Sequence, residues 1–413
     1  MGNNVIVVGA GAAGMIAAVF AAENGAKVTI LEKMQRVGKK LLITGKGRCN
    51  ITNVADIKDL IKNMHGNGSF LYSSFHNFSN NDVIDFFESL GVKTKVERGG
   101  RVFPESDKAI DVVDALLRKM DSLDITVLKD IAVKKIKKDN NRVTGVVDKK
   151  GEFYPADKVI IATGGSSYPA TGSSGDGYLM AEQIGHSIIP IKPSLVPLET
   201  EEEWVKIAQG LSLKNVKVSI LVENKKVADD FGEMLFTHYG VSGPIILSLS
   251  KVVAESLNNS KLVELSINLK PALSMEKLNN RVQRDFEKFS KKQIKNALNE
   301  LLPNKLIDII IDLAYINPDK MINQITKEER LRLIEQITDL RLTIIKTRPV
   351  AEAIVTAGGV NVKEINPKTM ESKIVEGLYF AGEVVDVDGY TGGYNLQAAF
   401  SMGYLAGKAA AGQ

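Results

Sequence analysis

Two short strings hold the side chains best suited to chemistry. Arg48-Cys49-Asn50 places a fixed cation, a thiol and a carboxamide in one loop, and His238-Tyr239 sets an imidazole beside a phenol. A guanidinium can hold a phosphate or stabilise an anion, and an imidazole can move a proton near neutral pH. Each has a plainer reading. Arg48 can tie its loop down by a salt bridge, Cys49 can be a small buried packing residue, and His238 can orient the Ser242-Gly243-Pro244 turn. The tyrosines Tyr168 and Tyr394 are further candidates to line a substrate face. Cys49 is the one cysteine, which excludes an internal disulfide and a redox dithiol. The four histidines, His65, His76, His186 and His238, do not fall at metal-ligand spacing, so no metal is expected. These side chains need a cofactor and a scaffold to position them.

The N-terminus supplies a scaffold. An apolar strand, Asn4-Val5-Ile6-Val7-Val8, runs into Gly9-Ala10-Gly11-Ala12-Ala13-Gly14, an apolar helical run follows to Asn24-Gly25, and a second strand ends on Glu32. Strand, G-x-G-x-x-G, helix, strand and acid is the order of a dinucleotide-binding unit. Gly9 makes the tight turn, Gly11 lets the backbone approach a pyrophosphate, and Gly14 lets the helix pack on the sheet. The helix N-terminus offers N–H groups to the phosphates. Glu32 can accept from both ribose hydroxyls and would repel a 2′-phosphate, which disfavours NADP. Ala10 and Ala13 belong to the same contact set. Lys33, Lys40, Gly45, Gly47 and the Arg48-Cys49-Asn50 string extend it along a basic, glycine-rich loop.

NAD and FAD both fit this unit, and later segments choose between them. The strand-like run 377–381 ends in Gly382-Glu383, the place from which an acid reaches the ribityl chain in two-lobed FAD proteins. Gly392-Gly393-Tyr394-Asn395-Leu396 then opens the last helix, whose N–H groups would face the flavin edge that becomes negative on reduction. Ala162-Thr163-Gly164 ends a buried strand at another return point, and Val133 is a candidate backbone contact to adenine. No second G-x-G-x-x-G follows a strand; the run 172–177 has different spacing. The cofactor expected is FAD, with NAD(P)H at most a transient co-substrate.

Composition bounds the rest. The 413 residues can bury two or three cores, and 44% hydrophobic with 25% charged residues is ordinary for a globular protein. The net charge of +4 is spread along the chain, and Lys134-Lys135-Ile136-Lys137-Lys138 reads as the solvated face of a strand. Nucleic acid is therefore not an expected partner. No apolar run reaches about 18 residues, so no membrane span is expected, and without a leader the expected location is cytoplasmic. Prolines 190, 193 and 197 mark a boundary, after which strand-like runs and then a Lys-, Glu- and Leu-rich helical stretch follow. After Arg348-Pro349 the glycine-rich, apolar character returns. The expected organisation is a discontinuous nucleotide-binding domain, 1–190 and 347–413. A β unit at 191–273 and about 338–346 interrupts it, with a helical cap at 274–337.

With these strings in place the chain resembles the YhiN/BaiN-like, aminoacetone-oxidase-like bacterial flavoproteins over essentially its full length. The resemblance rests on the first glycine motif with Glu32, on Gly47-Arg48-Cys49-Asn50-Ile51-Thr52-Asn53, and on Ala162-Thr163-Gly164-Gly165. Thr237-His238-Tyr239-Gly240-Val241-Ser242-Gly243-Pro244, Thr356-Ala357-Gly358-Gly359-Val360 and the run from Gly382-Glu383 to Asn395-Leu396-Gln397 complete it. It implies an α/β fold: a glutathione-reductase-like, Rossmann-type FAD-binding domain with an inserted antiparallel β unit carrying a helical cap. It also implies tightly bound FAD. The family's proposed activities are amine oxidation and reduction of carbon–carbon double bonds in steroid-like compounds.

The reading that follows is an FAD-dependent oxidoreductase moving hydride or electrons to or from a small organic substrate. Arg48, His238 and Tyr239 are its catalytic candidates. An oxidase of an amine-type substrate using oxygen is the alternative within enzymes. Outside that class stand an RNA-modifying flavoprotein and a flavin-binding protein without turnover. The former asks for basic residues interleaved with aromatics, and Lys291-Lys292-Gln293-Ile294-Lys295 is basic without them. A monomer and a homo-oligomer are equally compatible with the sequence.

Overall fold

The strand Asn4–Val8 lies at the centre of a five-stranded parallel sheet. It pairs with Lys27–Glu32 on one side and Lys158–Ile161 on the other; Thr126–Lys129 and Leu378–Phe380 complete the edges. The register sets Val7 beside Ile30 and Ile160, and Ile160 beside Tyr379, so the centre is apolar on both faces, as buried parallel strands require. The computed structural model describes residues 2–259 and 261–413.

Two helices cover the sheet beside the glycine loop. Ala12–Glu23 is alanine-rich and almost wholly buried, and it packs against the last helix, Tyr394–Ala411. The contact is close because Gly403 and Gly407 face it. A Cβ there would fall 2.5 Å from Ala13 O and 2.3 Å from Ala17 O. Among the described residues four smaller sheets are attached to this unit, the shortest pairing Met64–His65 with Asp388–Gly389. One is the meander Val133–Asp139, Arg142–Asp148 and Phe153–Pro155. Another is the hairpin Thr94–Glu97 with Arg101–Pro104, extended by Thr52–Asn53 and turning at Gly99 and Gly100. Ile188–Ser194 pairs with Val355–Val360.

The chain divides into two units, Met1–Ser194 with Val350–Gln413, and Leu195–Pro349. In the second, six antiparallel strands close into a barrel. Its order is Leu198–Thr200, Gly240–Ser242, Lys225–Phe236, Ser212–Val222, Val263–Asn268 and Leu340–Thr347, which returns to the first. Lys225–Phe236 runs as one strand through Gly232, since Phe231 and Gly232 stay in register with Lys217 and Val216. The helices Met275–Lys288, Asn304–Leu313 and Lys327–Thr338 bury Leu278, Val282, Ile310, Leu333 and Ile334 in the same apolar cluster as barrel residues Val218, Leu265 and Leu342. Barrel and helical stretch therefore share one core. Ser274 caps the first of these helices by accepting from Lys277 N–H at 3.3 Å. Among the described residues no helix is long and apolar enough to cross a membrane.

Candidate FAD site

The glycine motif has the geometry its spacing implies. Gly9 has φ 102°, and a Cβ on it would sit 2.6 Å from Ala162 O; one on Gly14 would sit 1.9 Å from Gly9 O. Only glycine fits either position. Gly11 differs, since a Cβ there would meet nothing within 4 Å, so the loop is open where a pyrophosphate would approach. Glu32 is buried at the tip of its strand. Its carboxylate accepts from Ala10 N–H at 2.7 Å and Met34 N–H at 2.8 Å, locking the strand end to the glycine loop. Val133 is buried at the start of the meander, close in sequence to Ile131, whose N–H donates to Glu32 O at 3.0 Å.

Lys33 and Lys40, on the loop beyond Glu32, each make a partly buried ion pair. Lys33 Nζ lies 2.5 Å from Asp176 Oδ2 and also donates to Ser174 Oγ. Burial pushes the Asp176 carboxyl upward, but the neighbouring Lys33 outweighs this and holds it below its ordinary value. Lys40 Nζ lies 2.6 Å from Glu383 Oε2 and 2.6 Å from Ser167 Oγ. Glu383 Oε1 accepts in turn from Thr356 N–H at 2.7 Å and from the Ser167 hydroxyl at 3.1 Å. Asp176, Ser167, Ser174 and Thr356 are members of this arrangement that the sequence reading did not single out. The signal was present for three of them. Ser174 and Asp176 sit in the 172–177 run, whose spacing is not that of the glycine motif, and Thr356 opens Thr356-Ala357-Gly358-Gly359.

The Arg48–Asn53 string meets the last helix. Asn53 Nδ2 donates to Gly392 O at 3.0 Å, and the buried Thr52 hydroxyl donates to Gln397 Oε1 at 2.5 Å. Gly393 caps that helix at φ 102°, and Asn395 holds the preceding loop through Gly389 N–H and O, both at 2.8 Å. Tyr394 and Leu396 are half-buried in its first turn. Gly382, at φ 82°, lies against Ala13, so the late strand end and the glycine loop are adjacent. Gly45 and Gly47 both adopt positive φ in the turn before Arg48.

Arg48 is engaged by carboxylates. Its Nε donates to Asp107 Oδ1 at 2.8 Å, its Nη2 pairs with Glu97, and the guanidinium lies 4.1 Å over the Phe103 ring. Cys49 is fully buried in a left-handed conformation (φ 61°), and burial pushes its thiol up to about 12, so it is protonated near neutral pH. His238 and Tyr239 belong to the barrel unit. They form the turn between Lys225–Phe236 and Gly240–Ser242, closed by Thr237 N–H on Gly240 O at 2.8 Å. His238 is exposed, and the Arg348 guanidinium lies 4.6 Å over the Tyr239 ring.

FAD fits the residues of the first unit on three observations. The open space at Gly11 lies at the start of Ala12–Glu23, whose N-cap makes no side-chain hydrogen bond, and Lys33 and Lys40 lie on the loop beyond Glu32. Among the described residues, Asn50 Oδ1 and Thr163 Oγ1 are buried polar atoms without a hydrogen-bond partner. A model of the HI0933-like protein Rossmann domain matches residues 3–409. The chain belongs to this family. A 3-dehydro-bile acid delta(4,6)-reductase of Clostridium scindens is 34% identical over 412 residues, covering 99% of each chain. A ribosomal RNA dihydrouridine synthase of Escherichia coli is 34% identical over 403 residues, 97% of this chain and 96% of its own. Among solved structures, the 3-ketosteroid-delta4-(5alpha)-dehydrogenase of Rhodococcus jostii shares the fold. Its TM-score is 0.55 at 15% identity, over 100% of this chain and 97% of that one. The protein is an FAD-dependent oxidoreductase of the HI0933-like family.

Proposed function

We propose that this enzyme adds hydride and a proton across a carbon–carbon double bond conjugated to a carbonyl. The full-length likeness to a reductase, at 34% identity, carries this reading. Both groups of relatives are named for saturating such a bond: a 3-dehydro, delta(4,6) bile acid has a carbonyl conjugated to its double bonds, and so does the uracil ring that becomes dihydrouridine. When reduced, FAD supplies the hydride, and NADH or NADPH is the proposed reductant.

The protein's part is binding, orientation and proton supply. Gly9, Ala10, Gly11, Ala13 and Gly14 form the phosphate cradle; Glu32 orients the ribose; Lys33, Lys40 and Glu383 hold the remainder of the dinucleotide. Thr163, Gly164 and Asn50 are proposed contacts. The N-terminus of Tyr394–Ala411, with Gly392 and Gly393, would offer its positive end to the bound flavin, where it would favour the negative charge of the reduced form. Arg48 secures the 44–50 loop through Glu97 and Asp107. His238 is proposed to deliver the proton from its imidazole, with the Tyr239 phenol beside it.

The small conjugated ketone is the first substrate reading. A uracil ring in RNA is the second, favoured by the exposed lysines of the meander. To test the reaction, FAD-loaded protein is incubated anaerobically with NADPH or NADH and a 3-oxo-4,6-diene bile acid. Loss of the conjugated absorbance, matched by nicotinamide oxidation and a product richer by two hydrogens, is the expected result. Oxygen uptake with amines and no loss of the conjugated bond would replace this reading with the oxidase.

A further inference from the structure

The meander turns the lysine run into a surface of defined chemistry. Its register aligns Phe153, Val147 and Lys135 in one row and Pro155, Gly145 and Lys137 in another, two residues along and on the same face. The intervening row, Tyr154, Val146 and Ile136, turns inward, with Val146 and Ile136 buried in the core. The outer face is therefore lined by lysines at one edge and an aromatic at the other. Phe153 is 48% exposed, and a Cβ on Gly145 would fall 2.9 Å from its ring, so the ring packs against a glycine. A shallow groove of about 440 Å³ runs between Lys135, Lys137, Lys138, Thr144 and Phe153.

The charge there is concentrated. Residues 133–155 hold seven Lys or Arg against three Asp or Glu, a net +4 that equals the net charge of the whole chain. Among the described residues, Lys134, Lys135, Lys137 and Lys138 form no ion pair, although lysines elsewhere on the surface do. Of the three acids, Asp148 is buried and turned to the backbone amides of Lys150 and Glu152. An unneutralised cationic strand beside an exposed aromatic is the pattern that binds single-stranded nucleic acid, lysines to phosphates and ring to base.

We propose that this face of the meander is a docking surface for single-stranded RNA. Charge complementarity selects a polyanion, and the exposed Phe153 ring selects one with stackable bases over an acidic polypeptide. The surface rests on the second substrate reading above for what is reduced. Binding is measured without turnover, so failure of the surface and failure of that reduction are read separately.

The test uses FAD-loaded protein and a fluorescein-labelled single-stranded oligouridylate, with anisotropy recorded over a range of salt concentrations. Wild type is expected to bind with affinity falling steeply as salt rises. K135E/K137E and F153A should each weaken binding roughly ten-fold, the first also flattening the salt slope. The flavin spectrum and thermal midpoint check that both variants remain folded. The face lies outside the proposed FAD contacts, so neither should move. The proposal is overturned if the oligouridylate does not bind at low salt, or if both variants bind as wild type does. Polyglutamate competing as well as RNA, with F153A unchanged, would also overturn it.

Discussion

Lys40 and Glu383 stand 343 positions apart in sequence and 2.6 Å apart in space. Each changes what the other means for an anionic cofactor. Removing the ammonium in K40M leaves the Glu383 carboxylate without its counter-charge in the proposed FAD site. FAD release should then increase by about ten-fold or more, because stranding one member of a partly buried pair costs more than the pair contributes. In K40M/E383Q the stranded charge is gone, and part of the affinity should return. Fluorescence of released FAD measures both variants, and a double variant no better than K40M would show that Lys40 acts as an independent phosphate contact. The proton donor is tested at the same scale. H238A should lower the rate of double-bond reduction at least ten-fold and change the pH profile, with FAD content unchanged. An unaltered rate and profile would remove His238 from the mechanism. Residue type and spacing made Glu32, the glycines and Glu383 legible in the sequence. The partners of Arg48 were not, because Glu97 and Asp107 reach it only when the hairpin folds back.

The crossing of Ala12–Glu23 with Tyr394–Ala411 carries the glycine loop on one side and Gly392-Gly393 on the other, so its spacing sets the FAD site. G403V inserts a branched side chain where even a Cβ lies 2.5 Å from Ala13 O. It should cost about 1–3 kcal/mol by overpacking, read as a lower thermal midpoint with loss of bound FAD. An unchanged midpoint would mean the helices can part freely. A second junction titrates. His186 is buried, its Nδ1 3.0 Å from Glu364 Oε2 and its Nε2 2.8 Å from Ser372 Oγ. Burial lowers its proton affinity, and Glu364 offsets this only in part. Burial raises the Glu364 carboxyl, but donation from Ser187 and His186 outweighs it, so that group titrates below its ordinary value of 4.5. The folded state thus binds a proton at His186 less readily than the unfolded chain. The stability this contributes is complete above 6.5, the ordinary histidine value, and is lost as pH falls below it. H186Q should therefore show a smaller stability difference between about pH 7 and pH 5 than wild type in urea unfolding. An equal difference would assign the acid sensitivity to other groups. The glycine-loop strands and the last helix were legible from their apolar runs and glycine punctuation. The barrel was legible only as antiparallel strands, because closure depends on Leu198–Thr200 pairing with Leu340–Thr347 across most of the unit.

At the scale of the molecule, a Rossmann-type unit interrupted by a barrel with its own core is the plan of an FAD-dependent oxidoreductase in the HI0933-like family. Chain length allowed two or three cores, and among the described residues the structure has two. Composition gave no access to the basic face of the meander, since the lysine run becomes a surface only when the register brings Phe153 to the same side. The central claim is that this chain reduces a double bond conjugated to a carbonyl, and single-turnover reoxidation tests it most directly. The flavin is reduced anaerobically with a stoichiometric chemical reductant. It is then mixed, in separate runs, with a 3-oxo-4,6-diene bile acid, a uridine-containing RNA and an isolated alkene. Prompt return of the oxidised flavin spectrum is expected with at least one conjugated substrate and none with the isolated alkene. A flavin that stays reduced with both conjugated substrates, and is reoxidised only on admission of air, would contradict it.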